Sequence, residues 1–444
     1  MKTYIPYPDY EKTGLDWIPK LPKGWKIGGL TKFLDIIVDY RGKTPEKVEK
    51  GVFLVTAKNI KQGQINYDLS REYINVDDYE EVMRRGKPEI GDVLFTTEAP
   101  LGEVANVDRE DIALAQRIIK FRALPGILDN YYLKYWILSH PFQSNLKTFA
   151  TGSTAEGIKA SKLSSLQVIL PTISEQKKIV GFLDKKILEI DHLIRKKNNL
   201  INLLEQQRQS IITEAVTKGL NRNVKMKDSG VNWIGEIPEH WDVTKIIYYA
   251  KLLTGGTPDK NNIMYWEDGS INWMSSGEVN KEFIHTVDSK ITELGLKNSA
   301  AKILPRKSIM MALNGQGKTK GKVAVLEVET TCNQSLAAFI CNEEKLHYLY
   351  LYYYLKSNYK ALRGLVGEGL RDGISLGLLK SIKMPLLPLK EQHEISKYLY
   401  EYDIKINDII SNQKSAIDLL IKYRQSLIYE VVTGKIDVRN MKID

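Results

Sequence analysis

Cysteine is almost absent from this chain. Its 444 residues include two, Cys332 and Cys341, too few for a disulfide framework or a complete thiolate metal site. The six histidines are scattered, and no metal is expected. No apolar run approaches the ~18 residues of a membrane span. The stretch from Met1 to Lys20 is broken by Pro6, Pro8, Asp9, Glu11 and Asp16 and lacks the apolar core of a signal peptide. These absences set the expectation of a cytoplasmic protein.

Catalytic signatures are missing too. There is no glycine-rich dinucleotide fingerprint, no Asn/Asp-Pro-Pro-aromatic motif of amino-methyltransferases, no zinc-deaminase pattern and no His-Glu-x-x-His. A loose P-loop pattern runs from Ala312 to Thr319, but Lys320-Gly321-Lys322-Val323-Ala324-Val325 follows it. That reads as a turn into another strand, whereas a phosphate-binding loop leads into a helix. The loop suits a nucleic-acid contact better. Nuclease carboxylates have no fixed spacing to search for, and nothing else points to catalysis.

What is present is an ordinary globular balance, with 43% hydrophobic and 27% charged residues. Single cores stop growing near ~250–300 residues, so two or more domains are expected. Lys and Arg number 64 against 54 Asp and Glu, a net charge of +10, which suits a polyanionic partner.

The chain is written twice, with a period of 216 residues. Gly14-Leu15-Asp16-Trp17-Ile18, Pro22 and Trp25 return as Gly230-Val231-Asn232-Trp233-Ile234, Pro238 and Trp241. Glu175-Gln176 returns as Glu391-Gln392, and Arg208-Gln209-Ser210 as Arg424-Gln425-Ser426. The middles diverge: Val52–Ile60 reads VFLVTAKNI and Ser270–Val279 reads SINWMSSGEV. A common frame carrying two recognition surfaces explains this. Faster drift in loops is the plainer alternative.

A heptad seam closes each half. It comprises Val180, Leu183, Ile187, Ile190, Ile194, Ile201, Leu204, Ile211 and Ala215, with Lys197 and Arg208 as polar members. Its copy comprises Leu399, Ile406, Ile410, Ile417, Leu420, Leu427 and Val431, with Gln413 and Arg424, and Ser396 and Asp403 weaken its start. Thr172 and Ser174 after Pro171 are candidate N-caps; Gly219 and Gly434 are candidate stops. About 42 residues at ~1.5 Å each give a helix of roughly 60 Å. The two helices are expected to pair as an antiparallel coiled coil, the polar members setting register; the alternative is that each packs on its own half.

Between these features lie short β-rich segments: Val52–Thr56, Val93–Thr97, Arg117–Arg122, Ser308–Ala312, Lys322–Val328 and Ala337–Cys341. One helix per half is expected, over Asn130–Ser139 and Leu346–Lys356, with its aromatics in the core rather than stacked on bases. The fold class is α+β, a tandem pseudo-two-fold repeat of two globular β-rich domains, each followed by a long helix.

Three sets of residues carry a resemblance: Lys227 to Trp241 (KDSGVNWIGEIPEHW); Leu170-Pro171 and Leu387-Pro388 with the Glu-Gln pairs; and Leu420 to Asp437 (LIKYRQSLIYEVVTGKID). Together they resemble the specificity subunit of type I restriction-modification systems, over essentially the whole chain. The resemblance implies target-recognition domains at 1–170 and 221–387, spacer helices at 171–220 and 388–437, and a tail at 438–444. It implies that each domain reads one half of an asymmetric bipartite double-stranded DNA site and that the helices set the gap. It implies a non-catalytic subunit that recruits two modification (adenine methyltransferase) subunits and two restriction (endonuclease/translocase) subunits. S-adenosylmethionine, ATP and Mg2+ would then belong to those partners, with no cofactor and no metal in this chain.

Polar loop positions supply the DNA-contact candidates. In the first half they are Arg41, Lys43, Thr44, Lys58, Asn59, Thr97, Gln116, Arg117, Ser153, Thr154 and Lys159. In the second they are Thr257, Lys260, Ser275, Ser276, Asn314, Gln316, Lys318, Lys320, Gln334 and Arg371. Two other classes compete with this reading: a self-sufficient or fused restriction nuclease, and a coiled-coil scaffold with two protein-binding heads.

Overall fold

The computed structural model describes residues 4–40, 42, 45–152, 156–315, 319–364 and 373–441. They form two compact units, residues 1–197 with 414–444, and residues 198–413. The units cut across the expected segments. Each takes one globular part, the start of one long helix and the end of the other.

Both units are built on the same sheet plan. In the first, an antiparallel sheet runs in the order Leu101–Asn106, Val93–Thr97, Ile118–Ala123, Leu34–Asp39. Beside it, Ile112–Leu114 pairs parallel with Val52–Val55. In the second, Val323–Leu326, Ile309–Ala312, Leu336–Cys341 and Ala250–Thr254 repeat that order, with Phe283–Ile284 added at one edge. Thr331–Cys332 pairs parallel with Ile271–Met274. All six expected β segments are strands to within a few residues.

The short helices are Asn130–Leu138 and Tyr348–Ser357. Tyr132, Tyr135 and Trp136 are buried in the first, and Tyr350, Tyr352, Tyr353 and Tyr354 in the second. These aromatics are core, as their helical spacing indicated.

The long helices are Ile173–Lys218 and Leu389–Val432. Thr172 is the N-cap of the first, closing a capping box: Glu175 N donates to Thr172 Oγ1 (3.3 Å), and Thr172 N to Glu175 Oε2 (3.1 Å). Ser174, the other candidate cap, already lies inside the helix. Gly219 and Gly434 end the helices in the left-handed region, at φ of +76° and +71°. A Cβ on Gly434 would stand 2.3 Å from Pro22 Cγ, so this stop is also a packing requirement.

Within each unit the two helices run antiparallel. In the first unit, Lys178 Nζ donates to Arg439 O (2.8 Å), while Asp191, further along, faces Arg424 (3.7 Å). Leu183, Ile187, Ile190 and Leu427 are buried in one core there, with Val180, Ile194 and Leu420 packed against it. In the second unit, Arg208 Nη1 donates to Asn407 Oδ1 (2.8 Å). Leu399, Ile406, Ile410 and Ile201 are buried there, while Leu204 and, in the first unit, Ile417 are half-buried. At the end of the first helix the seam drifts: Ile212 is buried and Ile211 only packs against the core. A straight helix turns every 3.6 residues and so slips out of a 3.5-residue repeat.

Ser396 and Asp403, the apparent weak points of the second seam, are buried and engaged by the short helix of their own unit. Ser396 Oγ lies 3.1 Å from His347 Nδ1, and Asp403 pairs with Lys356 at 3.0 Å.

The repeated Glu-Gln pair holds each long helix to its globular part. Gln176 is fully buried; its Oε1 accepts from Asp129 N (2.8 Å), and its Nε2 donates to Ile127 O and Pro171 O (both 2.9 Å). Gln392 repeats all three, with His347 N (2.8 Å), Lys345 O (3.0 Å) and Leu387 O (2.8 Å). The adjacent Glu175 and Glu391 accept from Trp25 Nε1 (3.3 Å) and Trp241 Nε1 (3.0 Å). Each tryptophan ring also lies against the glycine that ends the other long helix, Gly434 or Gly219.

Gln392→Leu keeps the volume but strands one backbone donor, His347 N, and two carbonyl acceptors, Lys345 O and Leu387 O, each costing ~1–3 kcal/mol. Its expected outcome is a drop in thermal midpoint of roughly 5 °C or more, read by calorimetry; an unchanged midpoint would remove the clamp. Burial, with His393 and Lys307 alongside, pushes His347 down to about 4. Protonation therefore opposes folding. Stability should be full above the unfolded histidine value of ~6.5 and fall as pH drops from there toward 4. His347→Asn should flatten that limb in denaturant titrations at a series of pH values.

Candidate nucleic-acid interface

In each unit, three backbone hydrogen bonds tie the loops at one end of the sheets into the same frame. In the first, Ala115 N donates to Val55 O (2.9 Å), Thr97 N to Arg117 O (2.9 Å) and Ile158 N to Thr97 O (3.0 Å). In the second, Asn333 N donates to Met274 O (3.1 Å), Leu313 N to Ser335 O (2.8 Å) and Ile374 N to Leu313 O (2.9 Å). The side chains mounted on the frame differ: Ala115 faces Asn333 in the comparison, Thr97 faces Leu313, and Arg117 faces Ser335.

The frame gathers candidates that stand far apart in sequence. In the first unit Lys58 is exposed in the turn after Val52–Val55, and Gln116 and Arg117 form the turn between two strands. Arg117 has a φ of +77° and pairs through Nε with Glu98 at 2.6 Å. Lys159 is exposed just after Ile158. Thr97 and Asn59 turn inward. Thr97 Oγ1 donates to Arg117 O (3.2 Å). Asn59 Oδ1 accepts from Thr56 N (2.9 Å), and its Nδ2 donates to Asn66 O (3.0 Å) and Ser70 O (2.9 Å). Both shape loops with their polar atoms.

In the second unit Thr257 Oγ1 donates to Gln334 Oε1 (2.6 Å), joining two loops that are 77 residues apart. Lys260, Ser275, Asn314 and Gln334 are exposed and Ser276 half-buried. Ser275 caps a short helical turn through a capping box with Glu278. Lys320 is buried, its carbonyl accepting from Arg363 Nη1 at 3.3 Å. Arg41, Lys43, Thr44, Ser153, Thr154, Gln316, Lys318 and Arg371 lie outside the described residues.

Sequence reasoning passed over Arg84 and Arg85. With Tyr40, Glu46, Glu81 and Gln116 they line a cavity of about 440 Å³ at this end of the first unit. Arg85 Nη1 donates to Asp39 O at 2.7 Å. Their acidic surroundings, Asp77 to Glu81, hid them in the sequence. The loop behind them is held by a buried ion cluster: Arg122 Nε meets Asp92 Oδ1 at 2.7 Å, and Lys120 Nζ meets Oδ2 at 3.2 Å. Burial opposes ionisation of Asp92, but Arg122, the Glu89 N–H and Lys120 outweigh it and hold the carboxyl below its usual range.

A second signal was also legible but missed. Thr44-Pro45-Glu46-Lys47 returns as Thr257-Pro258-Asp259-Lys260, a motif inside the divergent middles whose offset differs from 216. No group of three or more His, Cys, Asp or Glu able to hold a metal occurs among the described residues. Among them, too, no helix is long and apolar enough to cross a membrane. The geometry is that of polar side chains displayed on a hydrogen-bonded backbone frame, suited to contacting a ligand.

Comparison with known proteins agrees. The sequence profile of the type I restriction modification DNA specificity domain matches twice, at residues 22–203 and 238–419. The type I restriction enzyme MjaIX specificity subunit of Methanocaldococcus jannaschii is 26% identical over 445 residues, covering 96% of this chain and 96% of that one. The MjaVIII specificity subunit of the same organism is 24% identical over 437 residues, covering 95% of each. Among solved structures, a chain from a type I R-M system, studied for its complex assembly and conformational transition, superposes with a TM-score of 0.73 at 17% identity. It covers 94% of this chain and 99% of that one. The HsdS subunit of Thermoanaerobacter tengcongensis gives 0.50 at 16% identity, covering 94% and 98%. These two likenesses concern the fold. With both halves matched, the chain belongs to the type I restriction modification DNA specificity domain family.

Proposed function

We propose that this chain is the DNA specificity subunit of a type I restriction-modification complex, acting in the cytoplasm. Each unit reads one half of an asymmetric bipartite double-stranded DNA site. The long helices set the gap between halves. The chain recruits two modification subunits, which methylate adenine, and two restriction subunits. It contributes recognition and no chemistry; S-adenosylmethionine, ATP and Mg2+ are used by the partners.

The observation that carries this reading is the repeated backbone frame with different side chains on it. A duplicated frame places two readers in one chain. Divergent side chains make their two targets different. The surplus of ten basic charges supplies the phosphate attraction on which sequence-independent affinity rests. The nuclease alternative requires DNA turnover by the chain alone, and the scaffold alternative requires no salt-dependent DNA affinity.

Base-resolved methylation of a plasmid tests it, in cells making the chain with its modification subunit and in cells lacking the chain. The expected outcome is a bipartite adenine-methylated motif with a fixed gap, present only with the chain. Inserting one turn, ~5.4 Å, into the middle of both long helices should lengthen that gap; an unchanged gap would end the ruler role. Replacing Lys58, Lys159 and Lys260 together by Ala should weaken DNA binding by the assembled complex for every sequence alike. It should also flatten the slope of log affinity against log salt by about 0.9 per lost phosphate contact. A slope equal to the unaltered complex would exclude these lysines as phosphate contacts.

A further inference from the structure

Gln116 and Gln334 occupy the same point of the two frames. Each follows the residue whose N–H donates to the end of the parallel neighbour strand, Ala115 to Val55 and Asn333 to Met274. Each precedes the residue whose carbonyl accepts from the facing strand, Arg117 from Thr97 and Ser335 from Leu313. The flanking side chains have changed on both sides, and the glutamine has not. Ile158 and Ile374 are retained as well, but both are buried core.

A glutamine kept for structure would spend its amide inside, as Gln176 and Gln392 do. These two do not. Gln334 is exposed, and Gln116 lines the open cavity beside Tyr40 and Arg84. The Thr257 hydroxyl donates to Gln334 Oε1, which orients the amide. Among the described residues nothing accepts from its Nε2, which can donate, and Oε1 keeps a second lone pair to accept. A donor and an acceptor side by side at that spacing match N7 and the N6 amino group on the major-groove edge of adenine.

We infer that Gln116 and Gln334 are the base-reading residues common to both units and that each reads an adenine. The two half-sites, different elsewhere, then carry an adenine at equivalent places. This rests on the DNA-reading function proposed above.

The test is binding of the full chain, assembled with its modification subunits, to a library of duplexes varied at every position of both half-sites. Gln116→Ala should relax one adenine of one half-site, and Gln334→Ala one adenine of the other. Discrimination at that position should fall about ten- to hundred-fold, with every other position held. Gln→Glu at either site removes the donor and should move preference there from adenine toward cytosine, whose N4 amino group a carboxylate accepts. If an alanine variant does not assemble, the glutamate variant decides the matter. Unchanged adenine discrimination in assembled variants, or relaxation at a base other than adenine, overturns the inference. Absence of any sequence preference in the unaltered complex would instead strike the DNA-reading function itself.

Discussion

Gln176 and Gln392 are fully buried with both ends of their amides engaged. An unpaired buried amide is costly, so each long helix can leave its globular part in only one orientation. The neighbouring carboxylates, Glu175 and Glu391, fix the same turn of helix to a tryptophan ring. That ring in turn receives the glycine at the end of the other long helix. Tyr132 and Tyr350 add a parallel brace. Each hydroxyl stands between two carbonyl oxygens that share its one proton: that of a residue near a helix end, Val432 (3.4 Å) or Val216 (3.1 Å), and that of the strand before the unit's own long helix, at Ile169 (3.0 Å) or Pro385 (3.2 Å). A reader of DNA needs a stiff mount, and these few polar contacts provide it in both units.

Much of this was legible in the sequence, because it depends on local rules. The period of 216 residues, the two seams, the glycine stops and the core aromatics all follow from spacing and residue type. The resemblance then supplied what spacing does not, namely the task. What the sequence withheld depends on long-range placement. Asn59 reads as a polar loop residue and is in fact the internal staple of its loop, because its partners Asn66 and Ser70 fold back over it. Asp403 reads as a defect in a heptad seam until Lys356, 47 residues earlier, is found against it. The cap at Thr172 could not be separated from Ser174 by residue type alone; the box with Glu175 decides it.

The loop ends show why recognition surfaces resist reading from a single sequence. Their frame is made of backbone hydrogen bonds, which leave no mark on residue choice. Val55 and Met274 do the same work with different side chains, as do Thr97 and Leu313. Selection on such a surface acts on what the side chains touch, so the pattern that persists is in the main chain. Arg84 and Arg85 illustrate the converse: a basic pair is invisible amid acidic neighbours until the fold turns it toward the cavity.

The first unit is not contiguous in the chain. Its core includes Leu427, Ile428, Val431, Val432, Ile436 and Val438, and Asp437 N donates to Ile5 O at 2.8 Å. The second unit, residues 198–413, is a single uninterrupted stretch. On the ribosome the usual order is therefore reversed. Residues 1–197 must wait, partly unburied, for residues 414–444, while the unit made between them has all its parts sooner. Early termination would leave the second reader with its whole core and the first without the helix end that seals it.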